Sequence, residues 1–219
     1  MRASIDDLLR GEGVFDPGAP DIPLRRLLLL LAVFGMAYGL VMGSYGGRPL
    51  QAVYSAAKVP LLLLVSVVLC LANFFMVNSL LGLRSDFGAA LRAVLTAQAG
   101  VALSLAALAP VTAFFYASLP GGQSAYATAV AANGVAFMLS SFGGQLILNR
   151  AYESLALRDP RHRQARRAWL GIYVFVAIQM AWTLRPFIGD PDKPTRFFRE
   201  GAWGNAYVEV ARLLLQVGS

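Results

Sequence analysis

The amino-acid sequence predicts an all-α fold, a polytopic membrane helical bundle of about five transmembrane helices plus a C-terminal amphipathic helix. Three observations carry this expectation. Hydrophobic residues make up 57% of the 219 residues and charged residues only 14%, against about 45–50% and about 25% in an average soluble domain. A soluble fold has to present much of its surface to water, whereas a bilayer is itself the solvent for an apolar exterior. The apolar residues are gathered into five runs, and the mean hydropathy is +0.58. The basic residues, which set the formal net charge at +7, sit mostly between those runs. That is a topology pattern rather than a nucleic-acid footprint, so no nucleic-acid partner is expected.

Residues 1–23 form a polar N-terminal tail broken by Gly11, Gly13, Pro17, Gly18, Pro20 and Pro23. Within it, Ser4 to Arg10 reads as a short helix with Ser4 as N-cap and two acids in its first turn. Residues 1–20 hold no apolar h-region, so a cleavable signal peptide is not expected.

Residues 24–184 carry the five-helix transmembrane domain. The first span, Leu27 to Tyr45, follows Arg25-Arg26 and places Gly35, Gly39 and Gly43 four residues apart. This glycine zipper puts three residues without side chains on one helix face, where a second backbone comes close. The second backbone is expected within this chain, with a second copy as the alternative. The second span is set at Val59 to Leu83, with Lys58 marking its start and Pro60 in its first turn, where no N–H is needed. The third, Ala89 to Leu119, holds Pro110, which should bend it and free a carbonyl near Ala106. The turn Pro120-Gly121-Gly122 leads to the fourth, Ser124 to Leu148, rich in small residues that include Gly143 and Gly144. A basic loop, Arg158 to Arg167, then precedes the fifth, Ala168 to Leu184, with Trp169, Tyr173 and Trp182 near its ends as an aromatic belt.

Residues 185–219 form a C-terminal interfacial tail. Arg185-Pro186 stops the fifth span. Ala206 to Val217 is amphipathic and too short to cross a bilayer, which places it at the interface or on the bundle. Counting Lys and Arg with the N-terminus inside puts 12 on the cytoplasmic side and 7 outside, which favours a cytoplasmic N-terminus.

The chemistry-bearing residues are sparse. The lone Cys70 excludes an internal disulfide, and the lone His162, placed in the basic loop, excludes a metal or haem site built from several imidazoles within one chain. No Asp or Glu lies well inside a span, which argues against a proton-coupled transporter or an intramembrane protease. Phosphate-cradling Gly-rich motifs are absent. No catalytic residue, metal or cofactor is therefore expected.

Neutral amides recur instead, at Asn73, Gln98, Asn133, Gln145 and Gln179. Read as buried polar groups, they are interhelical hydrogen bonds, or else the lining of a polar path between helices. Arg163, Arg166 and Arg167 in the basic loop are topology signals, or contacts to anionic lipid or a partner protein. Arg185 is placed to pair with Asp190 and Asp192, folding Phe187, Phe197, Phe198 and Trp203 back on the bundle. With Trp182, these make the expected lipid or partner contacts.

The segment Gln179-Met180-Ala181-Trp182-Thr183-Leu184-Arg185-Pro186-Phe187-Ile188-Gly189-Asp190-Pro191 resembles a signature of uncharacterised bacterial multi-pass membrane proteins. Lys58-Val59-Pro60 is similar to the same group. The layout of five spans behind a soluble N-terminal tail also resembles that of the Yip1-type membrane proteins. These resemblances imply a membrane organiser and no catalytic residues. The expected function is a non-enzymatic integral membrane subunit, a scaffold or adaptor within a larger complex of the bacterial inner membrane. Its partners would be membrane lipids and either other membrane subunits or a second copy. The alternative is a channel or facilitator along the amides. A third reading is a membrane enzyme or lipid-handling protein with Arg185 and the acidic turn on a head group.

Overall fold

A computed structural model describes residues 2–10, 15, 23–119 and 122–209. Among these residues every regular element is helical. The helices are α1 (Arg2–Arg10), α2 (Leu24–Gly43), α3 (Pro49–Leu80), α4 (Phe87–Ser118), α5 (Gln123–Arg158) and α6 (Arg161–Thr183). Among the described residues four helices, α2 to α5, are long and apolar enough to cross a membrane. That arrangement fits an integral membrane protein. α6 is not one of the four. Its apolar part shares the helix with the arginine-rich first turns Arg161 to Arg167, which lower its hydropathy.

Short connections force neighbouring helices to run antiparallel. One end of the bundle therefore holds the start of α2 and the α3–α4 and α5–α6 turns. The other holds the α2–α3 and α4–α5 turns and the segment after α6. α4 is the most buried of the four long helices and α5 the least. α4 packs against α2 and α5, α2 also against α3, and α3 against α6, which touches α5 and closes the ring.

Several boundaries differ from the sequence reading, each for a local reason. α1 begins at Arg2, so Ser4 lies inside it rather than capping it. α1 docks on α4 and α5 and buries Leu8 in the core. α3 begins at Pro49, ten residues before Val59, because Pro49 already satisfies the first-turn preference. Pro60 consequently sits in the helix interior. At about 1.5 Å per residue the 32 residues of α3 extend about 48 Å, well beyond a hydrocarbon core of about 30 Å.

The basic loop is also mostly helix. α5 runs on to Arg158, only Asp159 and Pro160 intervene, and α6 starts at Arg161. Asp159 makes this turn possible. Its carboxylate accepts the Arg161 backbone N–H at 2.9 Å and the Arg161 guanidinium at 2.6 Å. Those bonds hold its carboxyl down to about 2. His162 is fully buried rather than loop-borne, with Nε2 3.2 Å from Asp86.

The amphipathic stretch expected at Ala206–Val217 is described only at its start. Residues 206–209 are helical, and the rest lies outside the described residues. Gln179 ties this start to α6, donating to the Gly204 carbonyl and accepting the Ala206 N–H, both at 3.0 Å. Tyr207 stacks on Phe175 at 4.5 Å and donates to the Phe175 carbonyl.

Candidate functional site

In a helix, residues at spacings of three and four share one face. Arg48, Gln51, Ser55 and Lys58, at the entrance and first half of α3, follow that spacing, and all four hold the segment after α6. Lys58 Nζ donates to the Pro186 carbonyl at 2.6 Å. Gln51 Nε2 donates to the carbonyls of Pro186 and Phe187, both at 3.0 Å. The Ser55 hydroxyl donates to the Phe187 carbonyl as well. Arg48 spreads its guanidinium over the carbonyls of Lys193, at 2.8 Å, and Pro191, at 2.7 Å.

The result is a clasp. A strap of irregular backbone, Arg185 to Lys193, lies across the end of the bundle, and its carbonyls at Pro186, Phe187, Pro191 and Lys193 accept from side chains of α3 and of Arg48 just before it. Irregular backbone that is shielded from water needs such partners. The Arg185–Pro186 peptide within it is cis. Ile188 is buried in the cluster formed by Tyr38, Met42, Val59, Leu63 and Leu105. Gly189 lets the strap come down on α3, since a Cβ there would stand 3.0 Å from Arg48 Cδ and 3.3 Å from Gln51 Cγ. At the far side Gln123, at the start of α5, donates to Asp190 at 3.3 Å and also to Asp192.

Lys58 is the unexpected member. It does not mark the start of the helix, which begins at Pro49. It is fully buried, about 14 Å along the axis from Pro49. Among the described residues no carboxylate pairs with it. Its compensation is the Pro186 carbonyl together with the faces of Phe197, 4.8 Å from Nζ, and Phe187, at 6.0 Å. An aromatic face attracts a cation by its quadrupole, worth about 0.5–2 kcal/mol.

The glycines of α2 seat α3 from the other side. A Cβ on Gly43 would lie 2.6 Å from Ala52 Cα and from the Gln51 carbonyl oxygen, and one on Gly39 2.7 Å from Ala56 Cα. Gly35 faces the ring of Pro60 at 3.3 Å. α3 thus presents small residues to α2 and its polar ladder to the strap. Gly144 has the same role between α5 and α4, where a Cβ would strike Val101 and lie 3.3 Å from the Ala97 carbonyl oxygen. Gly143 has more room, with Ser104 Oγ at 3.5 Å.

The amides do not form one seam. Asn133 joins three helices, accepting from Tyr38 at 2.8 Å and donating to Tyr116 at 2.6 Å. Gln98 accepts from Tyr173 at 2.9 Å. Gln179 holds the C-terminal segment. Gln145 is half-buried. Asn73, expected as a buried amide, instead lies exposed on the outer face of α3. The helical rotation buries Phe74 and Asn78 there, and Asn78 donates to its own Phe74 carbonyl at 2.8 Å.

Arg185 does not pair with the acidic turn. Asp190 is taken by Lys193, at 2.9 Å. Arg185 stacks on Trp182, 3.6 Å from the ring centroid, with Arg199 4.2 Å from the same centroid. Of the aromatics expected to fold back, Phe187 packs on the core and Phe197 meets Tyr54 at 5.3 Å. Trp203 stays 82% exposed. At the opposite end Arg163 and Arg167 are exposed, and Arg166 donates to Asn149 at 2.6 Å.

The clasp was not foreseen from the sequence, although its signal was present. The spacing of Arg48, Gln51, Ser55 and Lys58 is visible once the helix is allowed to start at Pro49. Lys58-Val59-Pro60 and Arg185-Pro186-Phe187-Ile188-Gly189, noted as separate motifs, are the two halves of one contact. Compared with known proteins, the chain matches no family model, no curated protein and no solved structure.

Proposed function

We propose that this chain is a non-enzymatic integral subunit of a bacterial inner membrane, acting as a scaffold or adaptor in a larger membrane complex. In this reading it crosses the bilayer five times, α6 included, with a cytoplasmic N-terminus and the clasp on the opposite side. The observation that carries it is the outward face of α5. Ala127, Val130, Ala131, Gly134, Val135 and Met138 are all exposed there. A Cβ on Gly134 would meet nothing within 4 Å. Glycine weakens a helix by about 1 kcal/mol relative to alanine, and small residues return that cost only where another helix comes close. Among the described residues no helix does so at Gly134, which leaves room for a helix of another subunit or of a second copy.

Further support comes from the interior. Two buried amides, Gln98 and Asn133, are engaged by tyrosines of neighbouring helices, which suits a rigid frame better than a conducting path. The exposed Arg163 and Arg167 on α6 suit contact with anionic lipid at the cytoplasmic leaflet. The test is photo-cross-linking in native membranes. Probes at Val130 and Met138 should give one discrete protein adduct, while a probe at Val68 on the outer face of α3 should give mainly lipid. Protein adducts absent from α5, with a lone monomer recovered in mild detergent, would contradict the scaffold reading.

A further inference from the structure

We propose that Trp182, Arg185 and Arg199 form a binding site for a phosphate-class anion at the clasp end of the bundle. The two guanidinium groups lie 3.6 and 4.2 Å from one indole ring centroid. The backbone ties them together, with the Arg199 N–H donating to the Arg185 carbonyl at 3.2 Å. Four side-chain donors in this group are buried with no acceptor among the described residues: Nε and Nη2 of Arg185, Nε of Arg199 and Nε1 of Trp182. A buried donor left unpaired costs about 1–3 kcal/mol, and more when it is charged. Four such donors on three neighbouring residues find no acceptor among the described residues.

The charges tell the same story. The nearby acids are committed elsewhere, Asp190 to Lys193 and Glu200 to Arg196. Among the described residues neither Arg185 nor Arg199 has an ion-pair partner. Burial, and then the adjacent Arg199, pull the Arg185 pKa below its usual value. A phosphate group answers each deficit: it supplies negative charge and several acceptor oxygens, and guanidinium forks match it bidentately. Both arginines keep partial exposure as residues, although the four donor atoms of the site are covered. Phe198 and Trp203 beside it are exposed, as side chains at head-group depth are. The ligand is a phosphate monoester or diester, carried by a phospholipid head group or free in solution. This site does not depend on the scaffold reading.

The test uses the full chain in a phosphate-free maltoside detergent, with Trp169→Phe and Trp203→Phe so that Trp182 is the only indole. Inorganic phosphate and a short-chain phosphatidylglycerol are titrated separately, with chloride as the control anion. A saturable change in Trp182 emission is expected with at least one of them. Response to phosphate alone would assign a soluble ligand. Response to the lipid alone would assign the head group. Arg199→Gln should weaken binding by about tenfold or more, the equivalent of one charge-assisted hydrogen bond. Arg199→Lys, which keeps the charge and loses the fork, should weaken it less. Arg163→Gln, at the other end of the bundle, should change nothing. No saturable response to either ligand, or equal affinity in Arg199→Gln and Arg199→Lys with their helical circular dichroism intact, would overturn the assignment.

Discussion

Four glycines on two helices give an ordered series of alanine substitutions whose sizes follow from the space at each site. Carbon atoms in contact prefer about 3.5–4.0 Å. At Gly39 the new Cβ would stand 2.7 Å from Ala56 Cα, so two backbones must separate by about 1 Å. Overpacking of this kind costs about 1–3 kcal/mol, partly offset by up to about 1 kcal/mol of better helix propensity. Gly39→Ala should therefore destabilise by about 1–2 kcal/mol, and Gly43→Ala, with Ala52 Cα at 2.6 Å, by a similar amount. Gly35→Ala meets Pro60 at 3.3 Å and should come out near zero. Gly134→Ala meets nothing within 4 Å and should be neutral or slightly stabilising in the isolated subunit. Denaturant titration in one detergent, read by circular dichroism, measures all four. If Gly39→Ala were no more destabilising than Gly134→Ala, the close α2–α3 contact would be wrong.

Other outcomes follow from the clasp and the turns. Lys58→Met keeps the length of the stem but removes the Pro186 hydrogen bond and the contact with Phe197, so residues 185–193 should exchange amide hydrogens faster while α4 is unaffected. Asp159 has its pKa lowered to about 2 from 3.8. Its contribution is therefore present above about pH 4 and is lost as pH falls towards 2. Amide exchange at the α5–α6 turn should rise over that window, and Asp159→Asn should remove the dependence. Cysteines at Ser118 and Arg163, in a Cys70→Ala background, should be labelled from opposite sides of the membrane. Labelling from the same side would reverse the helix count.

How much was legible beforehand depended on the kind of signal. Apolar runs and loop arginines marked the long helices, because bilayer thickness constrains length and composition directly. Gly35, Gly39 and Gly43 announced a close helix contact through their spacing alone. Their partner surface, Gln51 to Pro60, did not stand out, since Lys58 read as a boundary and hydropathy placed the helix start there. A charge inside a helix is misread in this way whenever its compensation comes from a segment distant in sequence, here Pro186 and Phe197. Asn73 and Asn78 show a second limit. Both amides look alike in composition, and only the rotation of α3 decides that Asn78 is buried and Asn73 is not. Trp203 shows a third, since an aromatic near a helix end is equally at home against the bundle or facing lipid.

The most direct measurement on the clasp is a proximity experiment across it. Ser55→Cys and Phe187→Cys are introduced together in a Cys70→Ala background and treated in membranes with a short bis-maleimide. Rapid cross-linking within one monomer is expected, because the Ser55 hydroxyl reaches the Phe187 carbonyl. The control pair is Ser55→Cys with Arg163→Cys, at opposite ends of the bundle. Cross-linking of the first pair no faster than that of the control would mean that the strap does not lie on α3.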